Sequence, residues 1–144
     1  MKITSKFTIA VHTLLVIDMF GKENKVTSDF IAASVRVNPV IIRRTLLSLK
    51  AAGMVEVKAG SGGASLIKAP KDITLLDVYR AVDAVENTDG GIFRFHENPN
   101  PACPVGRNIH TVLDGHLSSA QRALEDELQK VTLADLIKTL DDNV

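Results

Sequence analysis

Two adjacent arginines, Arg43 and Arg44, stand shortly after the pair Asn38-Pro39. A guanidinium donates paired hydrogen bonds to the major-groove edge of guanine, or makes a charged contact to a phosphate. Either contact needs the side chains near the start of a helix that can enter the groove. Val40 shares that position. Further on, Lys58-Ala59-Gly60-Ser61-Gly62-Gly63 sets a lysine before a run of small residues, and Lys68 follows it. Backbone free of bulky side chains at Ser61, Gly62 and Gly63 approaches a phosphate closely, with Lys58 and Lys68 supplying charge beside it.

The other reactive side chains are Cys103 and four histidines, His12, His96, His110 and His116. One cysteine excludes any disulfide within the chain. Cys103-Pro104 opens a helical pattern, where the helix dipole favours a thiolate, and Arg107 stands one turn on. Cys103 is therefore the candidate thiol sensor. No ligand spacing joins the histidines, so no metal site is expected. His116 falls on an apolar stripe and His12 inside a helical pattern, and both read as structural. There is no phosphate loop and no nucleophile motif, so the chain does not read as an enzyme.

The elements that position these residues follow from apolar spacing and capping. Ser5 to Phe20 reads as a helix, with Phe7, Ala10, Val11, Leu14, Leu15 and Met19 as its inner side and Gly21 as its stop. Thr27 or Ser28 caps a short helix to Ser34, with Phe30, Ile31 and Ala33 facing inward. Val35-Arg36-Val37 is a turn. Asn38 then caps a helix with Pro39 at its first position, where no N–H is required. Ile42, Leu46 and Leu49 form its stripe, and Gly53 ends it. Met54–Lys58 and Ala64–Lys68 read as two strands of a hairpin around the glycine-rich turn. Thr74 caps a helix through about Val85. Residues 87–104 form a long loop, which in a small protein is commonly functional. A long helix runs from about Val105 to Val131, striped by Ile109, Val112, Leu113, His116, Leu117, Ala120, Leu124 and Leu128. Thr132 caps a last helix over Leu133–Leu140.

The 144 residues suit one compact domain with an appended element, and 45% apolar content argues for a folded core. No apolar run reaches the roughly 20 residues of a membrane span. The start, Met1-Lys2-Ile3-Thr4, has no signal-peptide pattern, which points to the cytoplasm. With no Trp and only Tyr79 as tyrosine, an aromatic platform for stacking bases is not expected. The net charge is zero, yet residues 1–70 carry +6 and residues 71–144 carry −6. A basic half suits a polyanionic partner. Helix, short helix, tight turn, helix and hairpin, all in that basic half, follow the order of a winged helix-turn-helix, which predicts a mainly α fold with a small β-hairpin wing. The expected division is a DNA-binding unit over 1–70 and a dimerisation and possible sensor region over 71–144.

The ordered motifs resemble the Rrf2 family of bacterial regulators, which includes an iron–sulfur-cluster regulator, a nitric-oxide-sensing repressor and a cysteine-metabolism repressor. Ile3-Thr4-Ser5-Lys6 matches its start. Asp29-Phe30-Ile31-Ala32 and Asn38-Pro39-Val40-Ile41-Ile42-Arg43-Arg44 match its helix-turn-helix. Leu46 through Gly53-Met54-Val55 resembles the exit from that motif, Gly60-Ser61-Gly62-Gly63 its wing, and Asp77-Val78-Tyr79-Arg80-Ala81-Val82 the helix after the wing. Within that family the chain resembles a YwnA-like subgroup that lacks the three-cysteine cluster motif.

The resemblance implies a homodimer on double-stranded DNA, reading a pseudo-palindromic operator and acting as a repressor. Its DNA-facing set is Ser28, Asn38, Pro39, Val40, Arg43, Arg44, Lys58, Ser61, Gly62 and Gly63. The long helix would cross its partner's through Ile109, Val112, Leu113, His116, Leu117, Ala120 and Leu124. The chain departs from the family at two places. Cluster-bearing members carry three cysteines before the long helix, whereas only Cys103 stands here, so no iron–sulfur cluster is expected. In the wing, Ala59 stands where an arginine is frequent and Ala64 where an aromatic is frequent. The competing reading is a protein-interaction adaptor that keeps the fold and uses its acidic half.

Overall fold

A computed structural model describes residues 4–60, 62–82 and 91–144. Among these described residues, six α-helices and one hairpin follow in the order α1 (Lys6–Phe20), α2 (Ser28–Val35), α3 (Pro39–Ala51), β1 (Val55–Lys58), β2 (Gly63–Leu66), α4 (Leu75–Ala81), α5 (Pro104–Gln129) and α6 (Leu133–Asp141). A short 3-10 helix at Pro70–Asp72, which apolar periodicity did not disclose, links the hairpin to α4. The expected continuation of α4 to Val85 lies outside the described residues beyond Val82.

The core is built where α1, α2 and α3 meet the hairpin. Ala10, Leu14 and Ile17 of α1, Ile31 and Ala32 of α2, and Ile42, Leu46 and Leu49 of α3 are buried together with Val26, Met54 and Val55. On α2 the inward residue is Ala32 rather than Ala33, which is exposed. Eight residues make about two turns, too few for periodicity to locate the buried face sharply.

α1 is apolar on more than one side. Ala10, Thr13, Leu14, Val16 and Ile17 are buried, whereas Phe7, Val11, Leu15 and Met19 line an open apolar groove of about 560 Å³ with Leu136 and Leu140 of α6. The stripe expected from spacing is thus split between core and groove. Thr13 is accommodated in the core because its hydroxyl donates to the Ile9 carbonyl at 2.8 Å. His12 joins α1 to α2 through a 2.8 Å hydrogen bond with the Ser34 hydroxyl.

The apolar cluster continues past residue 70. Ile73, Leu76, Val78, Tyr79, Val82 and Leu133 belong to it. Two threonines clip α6 to α4. Thr74 and Thr132 each close a capping box, with Asp77 and Asp135. They face each other across a single antiparallel bridge. The Leu75 N–H donates to the Val131 carbonyl at 2.9 Å, and the Leu133 N–H to Ile73 at 2.8 Å.

α5 spans 26 residues, about 39 Å at 1.5 Å per residue. Its C-terminal part packs on its own chain through Leu124 and Leu128. Residues 91–103 run back along it as a strap. The Ile92 N–H donates to Gln121 Oε1 at 2.8 Å, the Phe95 ring stacks on His110 with centroids 4.2 Å apart, and Asn100 lies against Gly106, where a Cβ would collide with its carbonyl. Gln121 in turn donates to Glu125, which reaches Arg80 of α4 at 3.6 Å. Strap, α5 and α4 are thereby linked.

Candidate nucleic-acid interface

The turn between α2 and α3 is three residues long and sharply defined. Thr27 accepts from the Phe30 N–H at 3.1 Å and starts α2. Arg36 ends it in the left-handed region, φ 65° and ψ 51°, with its N–H donated to the Ala32 carbonyl at 2.7 Å. Asn38 then accepts from the Val40 N–H at 2.9 Å, and Pro39 occupies the first turn of α3. Cap and proline together fix where α3 begins, and hence which residues its N-terminal half presents.

α3 buries Ile42, Thr45, Leu46 and Leu49 and turns Val40, Arg43, Arg44 and Leu47 outward. Arg43 lies 4.0 Å from Asp29 of α2, a well-exposed pair worth little in stability. The structure thus presents Val40, Arg43 and Arg44 on one outward face. Asn38 is committed to its cap and Pro39 is half-buried beside it; Ser28 is half-buried in the first turn of α2.

The hairpin pairs Val55 with Leu66 through to Lys58 with Gly63. Lys58, Ala59 and Gly60 are exposed at its tip. Gly62 lies under the Lys58 side chain, where any Cβ would clash. Gly63 is the correction among the wing residues. It is buried, with φ +76°, and a Cβ there would sit 2.9 Å from the Val26 amide nitrogen. The Ala64 N–H donates to the Val26 carbonyl at 2.8 Å beside it. Gly63 therefore anchors the hairpin to the segment before α2 and keeps little exposed surface. Ser61 lies outside the described residues.

Two residues escaped sequence reasoning. Asp29 is an acid beside the arginine pair, and the signal would have been its place in the first turn of the helix that packs on α3. Leu47 is 66% exposed; its place seven residues after Val40 put it on the same face, but a leucine in an apolar helix reads first as core.

Among the residues expected on the long helix's stripe, Ile109, Leu113, Leu117 and Leu124 are half-buried within the single chain, and Val112, His116 and Ala120 are exposed. No residue of α5 is fully buried. Leu124 packs on its own chain's core.

Cys103 is exposed at the N-cap of α5. The amides of Gly106 and then Val105 hold its thiol below the ordinary range. An iron–sulfur cluster normally takes about four thiolate ligands, or two with two histidines. One cysteine per chain does not meet that need. His110, on the same helix, is engaged by Asp114 at 3.1 Å and by Phe95. No group of three or more metal-ligating side chains occurs among the described residues. The donor set present does not fit a cluster. Nor, among the described residues, is any helix long and apolar enough to cross a membrane.

Comparison with known proteins agrees with this arrangement. Residues 3–139 match the family described as Rrf2, iron-dependent transcriptional regulator. The chain is 46% identical over 138 residues to YwnA of Bacillus subtilis (strain 168), a protein bearing the name of a candidate HTH-type transcriptional regulator, with 96% of this chain and 98% of that one covered. A crystal structure described as a candidate DNA-binding protein is 41% identical with TM-score 0.72, covering 92% of this chain and 99% of that one. CymR (YrzC), the global cysteine regulator of B. subtilis, shares the fold at TM-score 0.65 and 21% identity, over 96% of this chain and 97% of that one. With the capped α3, the hairpin and the long α5 in place, and a family match running almost end to end, the chain belongs to the Rrf2 family of transcriptional regulators.

Proposed function

We propose that the protein is a homodimeric repressor that binds a pseudo-palindromic operator in double-stranded DNA. The observation that carries this reading is the outward face of α3, where Val40, Arg43 and Arg44 stand together near a capped helix N-terminus. That helix lies within the half of the chain that carries +6. α3 enters the major groove, and Lys58 at the hairpin tip contacts the backbone. α5 supports the dimer, because its stripe through Ile109, Val112, Leu113 and Leu117 finds no full cover within one chain. Two-fold symmetry of the protein then dictates symmetry of the site. The protein works in the cytoplasm, without catalytic activity and without an iron–sulfur cluster; Cys103 is the one residue through which a thiol signal would act.

Replacing both Arg43 and Arg44 with Ala tests the assignment. Specific binding should be lost, each base-reading arginine contributing about 1–3 kcal/mol of discrimination, while the circular-dichroism spectrum and unfolding midpoint stay unchanged. Protection of the same DNA at the same concentration by the double variant would remove α3 from the interface.

A further inference from the structure

The outward face of α3 is not simply basic. Of the large apolar side chains exposed among the described residues, three lie on this one helix: Val40 at 43%, Ile41 at 39% and Leu47 at 66%. Val40 and Leu47 are seven positions apart, so they differ by only about 20° around the helix. They define the line directly opposite the buried Ile42 and Leu49. Arg43 and Arg44 both fall between them along the axis, one to each side of that line. Thr45 offers no competing polar contact, because it is buried and its hydroxyl is spent on the Ile41 carbonyl at 2.9 Å.

A single exposed leucine calls for no explanation. An apolar pair aligned along the centre of a face flanked by Arg43 and Arg44 does. Within a major groove, the apolar group on offer is the C5-methyl of thymine; the other edge atoms are hydrogen-bond donors and acceptors. The flanking positive charge favours DNA over an apolar protein surface as the occupant. Seven residues of helix rise about 10.5 Å, close to three base-pair steps of about 3.4 Å.

We infer that Val40 and Leu47 read the methyl groups of two thymines about three base pairs apart in each half-site, on either side of the base contacted by Arg44. This rests on the assignment of α3 to the major groove. It adds that specificity here is set as much by apolar contact as by arginine.

The test uses the full-length protein. Bound duplexes are first selected from a random-sequence library, and each thymine of the recovered half-site is then replaced singly by deoxyuridine. That change removes the methyl and nothing else. Two positions should each lose about three- to fivefold in affinity, the effect of one buried methyl-sized group. Leu47→Ala should abolish the sensitivity at one of them and Val40→Ala at the other. Leu47→Met should retain it. If deoxyuridine is neutral at every thymine, or if sensitivity survives in both alanine variants, the inference is overturned although DNA binding stands. If no sequence is enriched and duplex binding shows no salt dependence, the underlying assignment of α3 falls, and this inference with it.

Discussion

At the scale of single residues, Arg43, Arg44 and Lys58 are all exposed, placed to meet a phosphate or a base edge. They carry the same chemistry in the sequence as in the fold, because charged side chains remain at the surface wherever their helix goes. Gly63 does not. Its missing side chain suggested close approach to a phosphate, yet the space is taken by Val26 of a segment far away in sequence. Only the tertiary contact distinguishes a glycine that admits a ligand from one that admits its own backbone. Cys103 yields a test at this scale. The Gly106 and Val105 amides depress its thiol pKa in the folded chain. The thiolate should therefore form, and react with iodoacetamide, at lower pH in the native protein than in the urea-unfolded one. By linkage, the associated stabilisation is present above the unfolded thiol pKa and is lost as pH falls through the depressed folded value. Coincident alkylation profiles in the two states would show that the start of α5 does not act on this thiol. Any effect of peroxide or diamide on DNA affinity should vanish in Cys103→Ser.

At the scale of elements, ends were more legible than faces. Asn38, Thr74 and Thr132 announce three helix starts and Thr27 or Ser28 a fourth, and the side chains of Thr27, Asn38, Thr74 and Thr132 accept the capping hydrogen bonds. Caps are local chemistry, set within a few residues of chain. The inward face of α1 was not legible, because the helix is apolar on several sides and its partners are remote. The αL end of α2 was also silent, since Arg36 stands where glycine is usual. This makes a prediction. A non-glycine residue in the left-handed region is disfavoured by roughly 1–2 kcal/mol, part of which glycine returns as added freedom in the unfolded chain. Arg36→Gly should raise stability by about 0.5–1 kcal/mol in urea denaturation without altering the position of α3. A fall in stability would mean that the arginine side chain contributes more to the turn than its backbone strain removes.

At the scale of the whole molecule, the acidic half is not a separate body. Leu133 near the C-terminus lies in the same cluster as Leu14 and Ile42 near the N-terminus, so α6 closes the core that presents α3. What extends from that core is the first part of α5 with its strap. The long stripe was plain in the sequence, but which of its residues pack within the chain was not, because covered and uncovered positions use the same apolar spacing. Burial in the single chain separates them. Leu124 packs on its own core, whereas Val112 is 64% exposed in the single chain. An aspartate placed at each position should therefore fail differently. Leu124→Asp puts an unpaired charge against the core and should destabilise the fold itself, lowering the unfolding midpoint at every protein concentration. Val112→Asp meets solvent in the separated chain, so the monomer should keep its helical spectrum. In a dimer the same charge would be buried, and sedimentation should show a species near 15.6 kDa in place of one twice that mass. Losing half of the phosphate contacts, the monomer should also bind DNA with a salt dependence about half as steep as the dimer's. If Val112→Asp sediments as the wild type does and keeps the full slope, the stripe of α5 is not where two copies meet.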